Sequence, residues 1–122
     1  VTTTVVSFDM HLVSLANQRE GWRKSSRRAK EQRAKALVFA AHELHHHPVQ
    51  LPVRVHITRH GPRKLDSDNL AISAKHVRDG VADALGCDDG DEEMVTWSYS
   101  QERSKKYRVV ISIEERNSDA EA

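Results

Sequence analysis

The chain of 122 residues is poor in several residue types, with one cysteine, three prolines, five glycines and an aromatic content of 5%. Each shortage excludes something. The lone Cys87 rules out an internal disulfide and any cysteine-based zinc cluster. No apolar run approaches the roughly 18 residues that a membrane span requires. No basic segment followed by an apolar stretch opens these residues, so a secretory leader is not expected and a cytoplasmic, reducing location is. Proline and glycine are too scattered to form a linker, and no internal repeat is visible. One domain is therefore expected, too short for an eight-fold β/α barrel or a full dinucleotide-binding sheet.

What the chain does have is charge, 19 Lys and Arg against 18 Asp and Glu. The net of +1 hides a strong polarisation along the sequence. Residues 19–35 carry eight bases and two acids, and residues 54–64 carry four bases and no acid. Residues 66–93 reverse the sign, with nine acids and two bases. Near-neutrality of the whole thus leaves a nucleic-acid partner open.

Hydrophobic spacing gives the order β-α-β-α-β-β. Residues 2–13 (TTTVVSFDMHLV) read as a first strand, and residues 14–23 as a loop. From about Lys24 to His46 a long helix is expected, with Ala34, Leu37, Val38, Ala41, Leu44 and His45 as its apolar stripe and Pro48 marking its end. Residues 52–59 alternate, with Val53, Val55 and Ile57 on one side and Arg54, His56 and Thr58 on the other. The loop HGPRKLD follows. A second helix is expected from Ser67 or Asp68 to Leu85, with Leu70, Ala74, Val77, Val81 and Leu85 in an arc of about 80° facing the core. Asp68, Ile72, Lys75 and Asp79 share the opposite side. Strands at 94–101 and 107–113 read as a closing hairpin, and residues 114–122 as a polar, disordered tail. The fold class is a small α/β (α+β) domain over residues 1–113, a mixed sheet with two helices packed on it.

The sharpest feature is KLDSDNL at 64–70 together with CDDGD at 87–91. Mg²⁺ prefers hard oxygen ligands, and a cluster of carboxylates repels itself until such an ion relieves it. In phosphodiester hydrolysis the ion activates water and neutralises phosphoryl charge, while a nearby lysine stabilises developing negative charge. Asp66 and Asp68 lie together at a helix mouth, whereas Asp88 and Asp89 lie beyond its far end. A straight 18-residue helix is about 27 Å long, so these acids meet only if the helix stops early or the chain folds back. The competing reading makes Asp66 and Asp68 favourable helix-start residues and CDDGD a solvated turn.

At DSDN (66–69), Lys75, DGV (79–81) and DD (88–89) the chain resembles the RusA-type Holliday junction resolvases, metal-dependent endodeoxyribonucleases of phages and bacteria. The resemblance extends loosely over residues 5–113, with Asn17 and Trp22-Arg23 matching an N-terminal loop, but about 25 residues around the acids carry its specificity. It implies a RusA-like fold with catalytic Asp66, Asp68 and Asp89, with Asp88 beside them, holding Mg²⁺ or Mn²⁺. It also implies a homodimer that makes paired cuts in branched DNA, above all four-way junctions, in a bacterial or phage-encoded protein. The family's lysine position is held here by Ile72, so Lys75 on the same helix face would take that role. Arg23, Lys24, Arg27, Arg28, Arg59, Arg63 and Lys64 become candidate phosphate contacts on either side of the acids. A degenerate relative that binds branched DNA without cutting it is the alternative.

Other groups carry blander readings. His42, His45, His46 and His47 lack the matched ligands of a zinc motif and read as a polar helix end. Trp97 and Tyr99 read as core. Trp22, in a basic loop, is either an anchor or a contact to DNA bases. Cys87 among acids is disfavoured as a thiolate.

Overall fold

The computed structural model describes residues 2–14 and 21–116. In chain order the elements are β1 (Thr3–Phe8), α1 (Trp22–His46), β2 (Val53–Gly61), α2 (Ser67–Ser73), α3 (Lys75–Leu85), β3 (Val95–Arg103) and β4 (Arg108–Glu115). The four strands form one mixed sheet in the order β1-β4-β2-β3. β4 is antiparallel to both β1 and β2, and β2 is parallel to β3. The result is the small α+β domain that the hydrophobic pattern predicts.

Alternation in the strands turns one sheet face inward. Val6 and Phe8 of β1, Val53, Val55 and Ile57 of β2, Val95 of β3, and Val109, Ile111 and Ile113 of β4 are buried with Ala36 and Ala40 of α1 and Val77 and Val81 of α3. The other face is left open, with Val5, Ser7, Arg54, Thr96 and Ser98 exposed. Both long helices therefore cover the same side.

Four expectations change. The closing hairpin does not exist as a pairing, because β2 lies between β3 and β4. β2 is the most deeply buried strand, and burying both its edges removes every unpaired backbone group there. Residues 104–107 then have two strand spacings to cross, roughly 10 Å, within the reach of four extended residues. The Ser104 amide donates to the Gly61 carbonyl on the way, at 2.9 Å. The acidic tail begins later than expected, since Glu114 and Glu115 belong to β4 and face Thr3 and Val53 in register. Glu115 accepts from the Gln50 amide at 2.7 Å, which holds its carboxyl below the usual range. Asn17 and residues 117–122 lie outside the described residues.

The packed face of α1 also differs from the expected stripe. Gln32, Ala36 and Ala40 are buried, while Ala34, Val38 and Ala41 are exposed. The reason is the approach of α3 at Gly80. A Cβ placed there would lie 2.3 Å from the Arg33 carbonyl oxygen and 2.8 Å from Ala36 Cβ. Only small residues fit that crossing, so size outranks hydrophobicity in choosing the face. Finally, the expected second helix is two helices. The buried Ser73 hydroxyl donates to the Leu70 carbonyl at 2.7 Å, the acceptor that the Ala74 amide would use in a continuous helix. Ala74 instead donates to Ala71 at 3.2 Å and begins a new helix axis. The predicted core stripe survives the break, with Leu70, Ala74, Val77 and Val81 all buried.

Candidate functional site

The acids at 66 and 68 stand just beyond the carboxyl ends of the parallel pair β2 and β3. This is where open sheets with parallel strands commonly place ligands. Asp66 is the N-cap of α2, extended at φ −61° and ψ 151°, and its side chain makes no capping hydrogen bond. Asp68 occupies the first turn. Both are exposed, and among the described residues neither carboxylate has a hydrogen bond or ion pair. The backbone that carries them is held from β3. Gln101 accepts from the Leu65 amide at 2.9 Å and donates to the Leu65 carbonyl at 2.6 Å.

A second clamp reaches the same loop from beneath. Arg59 is only 4% exposed, donating to the Leu12 carbonyl at 3.0 Å and to the Arg63 carbonyl at 2.7 Å. Burial pushes its pKa down, against a smaller opposing effect of Tyr107. Arg59 is thus no phosphate contact, contrary to the sequence expectation. It faces inward because residue 59 continues the alternation of Val53, Val55 and Ile57. Arg63 and Lys64, whose loop it fixes, are exposed beside Asp66. Arg23, Lys24 and Arg27 are exposed on the first turns of α1, and Arg28 is half-buried. Trp22 is 76% exposed with the Arg23 guanidinium 5.4 Å from its ring centroid, so it is not an anchor.

The chain folds back after α3 as convergence would require, but only part of the way. Gly86, at φ 75°, ends the helix in the left-handed conformation that suits glycine. The following turn returns Asp89 to Arg78, about 10 Å back along α3 by helical rise. Arg78 Nε donates to Asp89 Oδ2 at 3.0 Å, and Nη2 donates to the Asp89 carbonyl at 2.9 Å. Nη1 donates to the Tyr99 hydroxyl at 3.1 Å. Trp97 Nε1 donates to the same Asp89 carbonyl at 2.8 Å, and its ring lies under the guanidinium at 4.8 Å. Burial works against the Arg78 charge, but Tyr99 and Asp89 outweigh it and raise its pKa.

A cleft of about 330 Å³ joins Ala71 and Ile72 of α2, Lys75 and Arg78 of α3, Asp89 and Tyr99. Lys75 and Asp89 therefore share one cleft, while Asp66 and Asp68 are not among its lining residues. Lys75 Nζ lies 3.9 Å from Asp79 and is largely exposed. Asp88 accepts from the Gly90 amide at 3.0 Å and borders an acidic hollow with Asp79, Asp83, Asp89 and Arg33, so Asp89 lines both this hollow and the cleft. In that hollow Arg33 donates to Asp83 through two nitrogens, at 2.7 and 2.9 Å, and this hydrogen bonding lowers the Asp83 pKa.

Two carboxylates plus substrate phosphate suffice for Mg²⁺, and the unengaged Asp66 and Asp68 suit such an ion. Asp89 as it stands does not, because its counter-charge is already Arg78. Among the described residues no group of three or more His, Cys, Asp and Glu is placed to hold a metal. The expected three-carboxylate cluster of Asp66, Asp68 and Asp89 is thus not assembled in this structure. His42 and His46 have ring centroids 4.7 Å apart at the exposed end of α1 and belong to no such group. His56, on the open sheet face, bonds to Ser98 Oγ at 2.6 Å and Ser100 Oγ at 2.7 Å. Cys87 has its pKa raised by burial, with Asp91, Asp88 and Asp89 adding to it.

Sequence reasoning missed Arg78, Gln101 and Tyr99 as shapers of this region. Arg78 had a signal, as one of only two bases among the acids of 66–93. Gln101 had none. No protein-family model and no curated protein matches the chain. No helix among the described residues is long and apolar enough to cross a membrane.

Proposed function

We propose that the protein is a divalent-metal-dependent endodeoxyribonuclease acting on branched DNA, in the manner of the RusA-type junction resolvases that its acidic motif resembles. One observation carries the reading. Asp66, the N-cap of α2, and Asp68, in its first turn, follow a doubly clamped loop and have no hydrogen-bond or ion-pair partner among the described residues, flanked by the exposed cations Arg63 and Lys64. Carboxylates held in place without a counter-charge are poised for a hard cation, and adjacent bases suit the phosphates such a cation would meet.

In this reading Asp66 and Asp68 hold Mg²⁺ or Mn²⁺, which supplies charge neutralisation at the scissile phosphate and an activated water. The chain's own residues do the rest. Arg63 and Lys64 bind the phosphates that flank the cut. Lys75, at the rim of the adjoining cleft, stabilises negative charge as the phosphodiester reacts. Arg23, Lys24 and Arg27 extend the cationic surface along α1 and add salt-dependent affinity without sequence preference. A homodimer would present two such sites to the two strands cut in a four-way junction.

A second reading has its own support. The engagement of Asp89 by Arg78 and the isoleucine at position 72 favour a protein that binds branched DNA without cutting it. A synthetic four-way junction decides between them. The nuclease reading expects cleavage with Mg²⁺ or Mn²⁺, none with chelator, and none by Asp68→Asn despite retained binding. A wild-type protein that shifts the junction in a gel yet leaves it intact under both metals leaves only the binding reading. Absence of any junction binding would defeat both.

A further inference from the structure

The loop between β3 and β4 concentrates positive charge at the same end of the molecule as Asp66 and Asp68. Residues 103–108 (RSKKYR) hold four bases and no acid. Arg108 is met by Asp9 at 3.5 Å. Arg103, Lys105 and Lys106 are exposed, and among the described residues their side chains have no hydrogen bond or ion pair. The neighbouring acid, Glu102, turns to the open sheet face, where it lies 4.0 Å from His60. Arg103 shares the opposite face with Gln101, the residue that clamps Leu65.

The parallel pairing of β2 with β3 decides where these cations stand. Gly61 and Arg103 are in register, so the loop after β3 starts beside the loop after β2. Pro62, Arg103, Ser104 and Lys105 line one open hollow of about 320 Å³. Asp66 follows Gly61 by five residues, so the two lie at most about 17 Å apart. One strand of duplex DNA carries a phosphate for about every 3.4 Å of helix axis. A strand engaged at Asp66 therefore reaches this hollow within about five phosphates.

The loop is anchored at both ends. The Ser104 amide donates to the Gly61 carbonyl at 2.9 Å. The Tyr107 ring packs over Gly61, where a Cβ would lie 3.1 Å from it, and the His11 ring stacks on Tyr107 with centroids 3.7 Å apart. An anchored loop has less freedom to lose when it meets a ligand. Its unpaired like charges repel one another until a polyanion relieves them. A membrane surface would be met by exposed apolar side chains interleaved with the bases. Here the one large apolar body, Tyr107, is taken up by Gly61 and His11.

Resting on the DNA-acting reading above, in either its cutting or its binding form, we infer that the β3–β4 loop is a further phosphate-binding bank. Arg103, Lys105 and Lys106 hold the DNA backbone beside Arg63 and Lys64. The loop grips a duplex arm without sequence preference and sets how that arm lies across Asp66 and Asp68.

The probe is a fluorescent four-way junction, titrated with the full chain at several salt concentrations. The triple variant Arg103→Gln, Lys105→Gln, Lys106→Gln is expected to bind about 10²–10³-fold more weakly at about 0.1 M salt. Its plot of log affinity against log salt should be shallower by about 2–3. The charge-keeping set Arg103→Lys, Lys105→Arg, Lys106→Arg should bind as the wild type does. Arg54→Gln, at the far end of β2 on the open face, controls for net charge and should change neither quantity. A triple variant with wild-type affinity and slope overturns the inference and leaves the functional reading standing. An equal loss per charge at Arg54 overturns it as well, as does unchanged junction binding with weakened binding to phosphatidylserine vesicles. Should the triple variant fail to fold, wild-type NMR with a short duplex decides. The Lys105 and Lys106 amides are expected to shift together with those of Arg63 and Lys64, and their silence while the latter move overturns the inference. A wild type that binds no junction defeats the functional reading itself, and the inference with it.

Discussion

Replacing Gly80 by alanine is the most direct test of how the helical layer is assembled. Alanine in mid-helix ordinarily stabilises by about 1 kcal/mol over glycine. Here the added Cβ would lie 2.3 Å from the Arg33 carbonyl oxygen, 2.8 Å from Ala36 Cβ and 3.0 Å from the Leu37 amide nitrogen. Two of those three atoms are backbone, so no side-chain rotation relieves the clash. α1 has to retreat from α3 by roughly an ångström, and such overpacking costs about 1–3 kcal/mol. Taking the upper end for so close a contact and subtracting the helix gain leaves a net loss of about 2 kcal/mol. For a domain of this size that is a fall in Tm of roughly 10 °C. Urea and thermal unfolding followed by circular dichroism would measure it. Gly21→Ala is the steric control, since nothing lies within 4 Å of a Cβ there. It should lose only the preference for glycine over alanine at the N-cap of α1, a smaller fall in Tm than that of Gly80→Ala. A Gly80→Ala protein as stable as the wild type would refute the size-selected crossing.

Two further outcomes follow from the clamps and the histidines. Gln101→Ala removes both hydrogen bonds to Leu65 and should cost about 1–2 kcal/mol. It should also slow junction cleavage more than it weakens junction binding, and equal losses in a gel-shift and a cleavage assay would count against a positioning role. Burial lowers the pKa of His11, with Arg59 and Arg28 adding to it, and burial likewise lowers that of His76. The unfolded chain thus binds more protons than the folded one below about pH 6.5, so stability should be full above that value and fall as the pH drops through the lowered folded pKa values. Urea midpoints measured from pH 7.5 to 5 should decline, and a flat or rising series would contradict the assignment.

What the sequence disclosed was governed by local rules, and what it concealed was governed by long-range fit. The alternation at Val53, Val55 and Ile57 and the stripe of Leu70, Ala74, Val77 and Val81 are visible because burial imposes a fixed period. That same period, carried two residues further, puts Arg59 indoors, so its charge was the misleading signal. The α1 face was hidden because Ala36 is fitted by smallness against Gly80, not by hydrophobicity. The break at Ala74, where the Ser73 hydroxyl bonds to the Leu70 carbonyl, leaves the hydrophobic spacing unchanged and so has no periodic signal. The pairing of β3 and β4 with β2 instead of with each other is a non-local choice that adjacency in sequence does not reveal. At the site, residue type located the acids, but Arg78 and its hold on Asp89 are products of folding back.

The position of β4 also has a consequence for how the chain comes into being. Among the described residues β1 pairs with β4 alone, and β2 needs β4 to close its second edge. During synthesis from the amino end, β1 has no strand partner until Arg108–Glu115 have emerged. Such non-local pairing makes for slow folding and leaves strand edges open in the interim. Any truncation before Arg108 would orphan β1 by a cut made far from it in sequence.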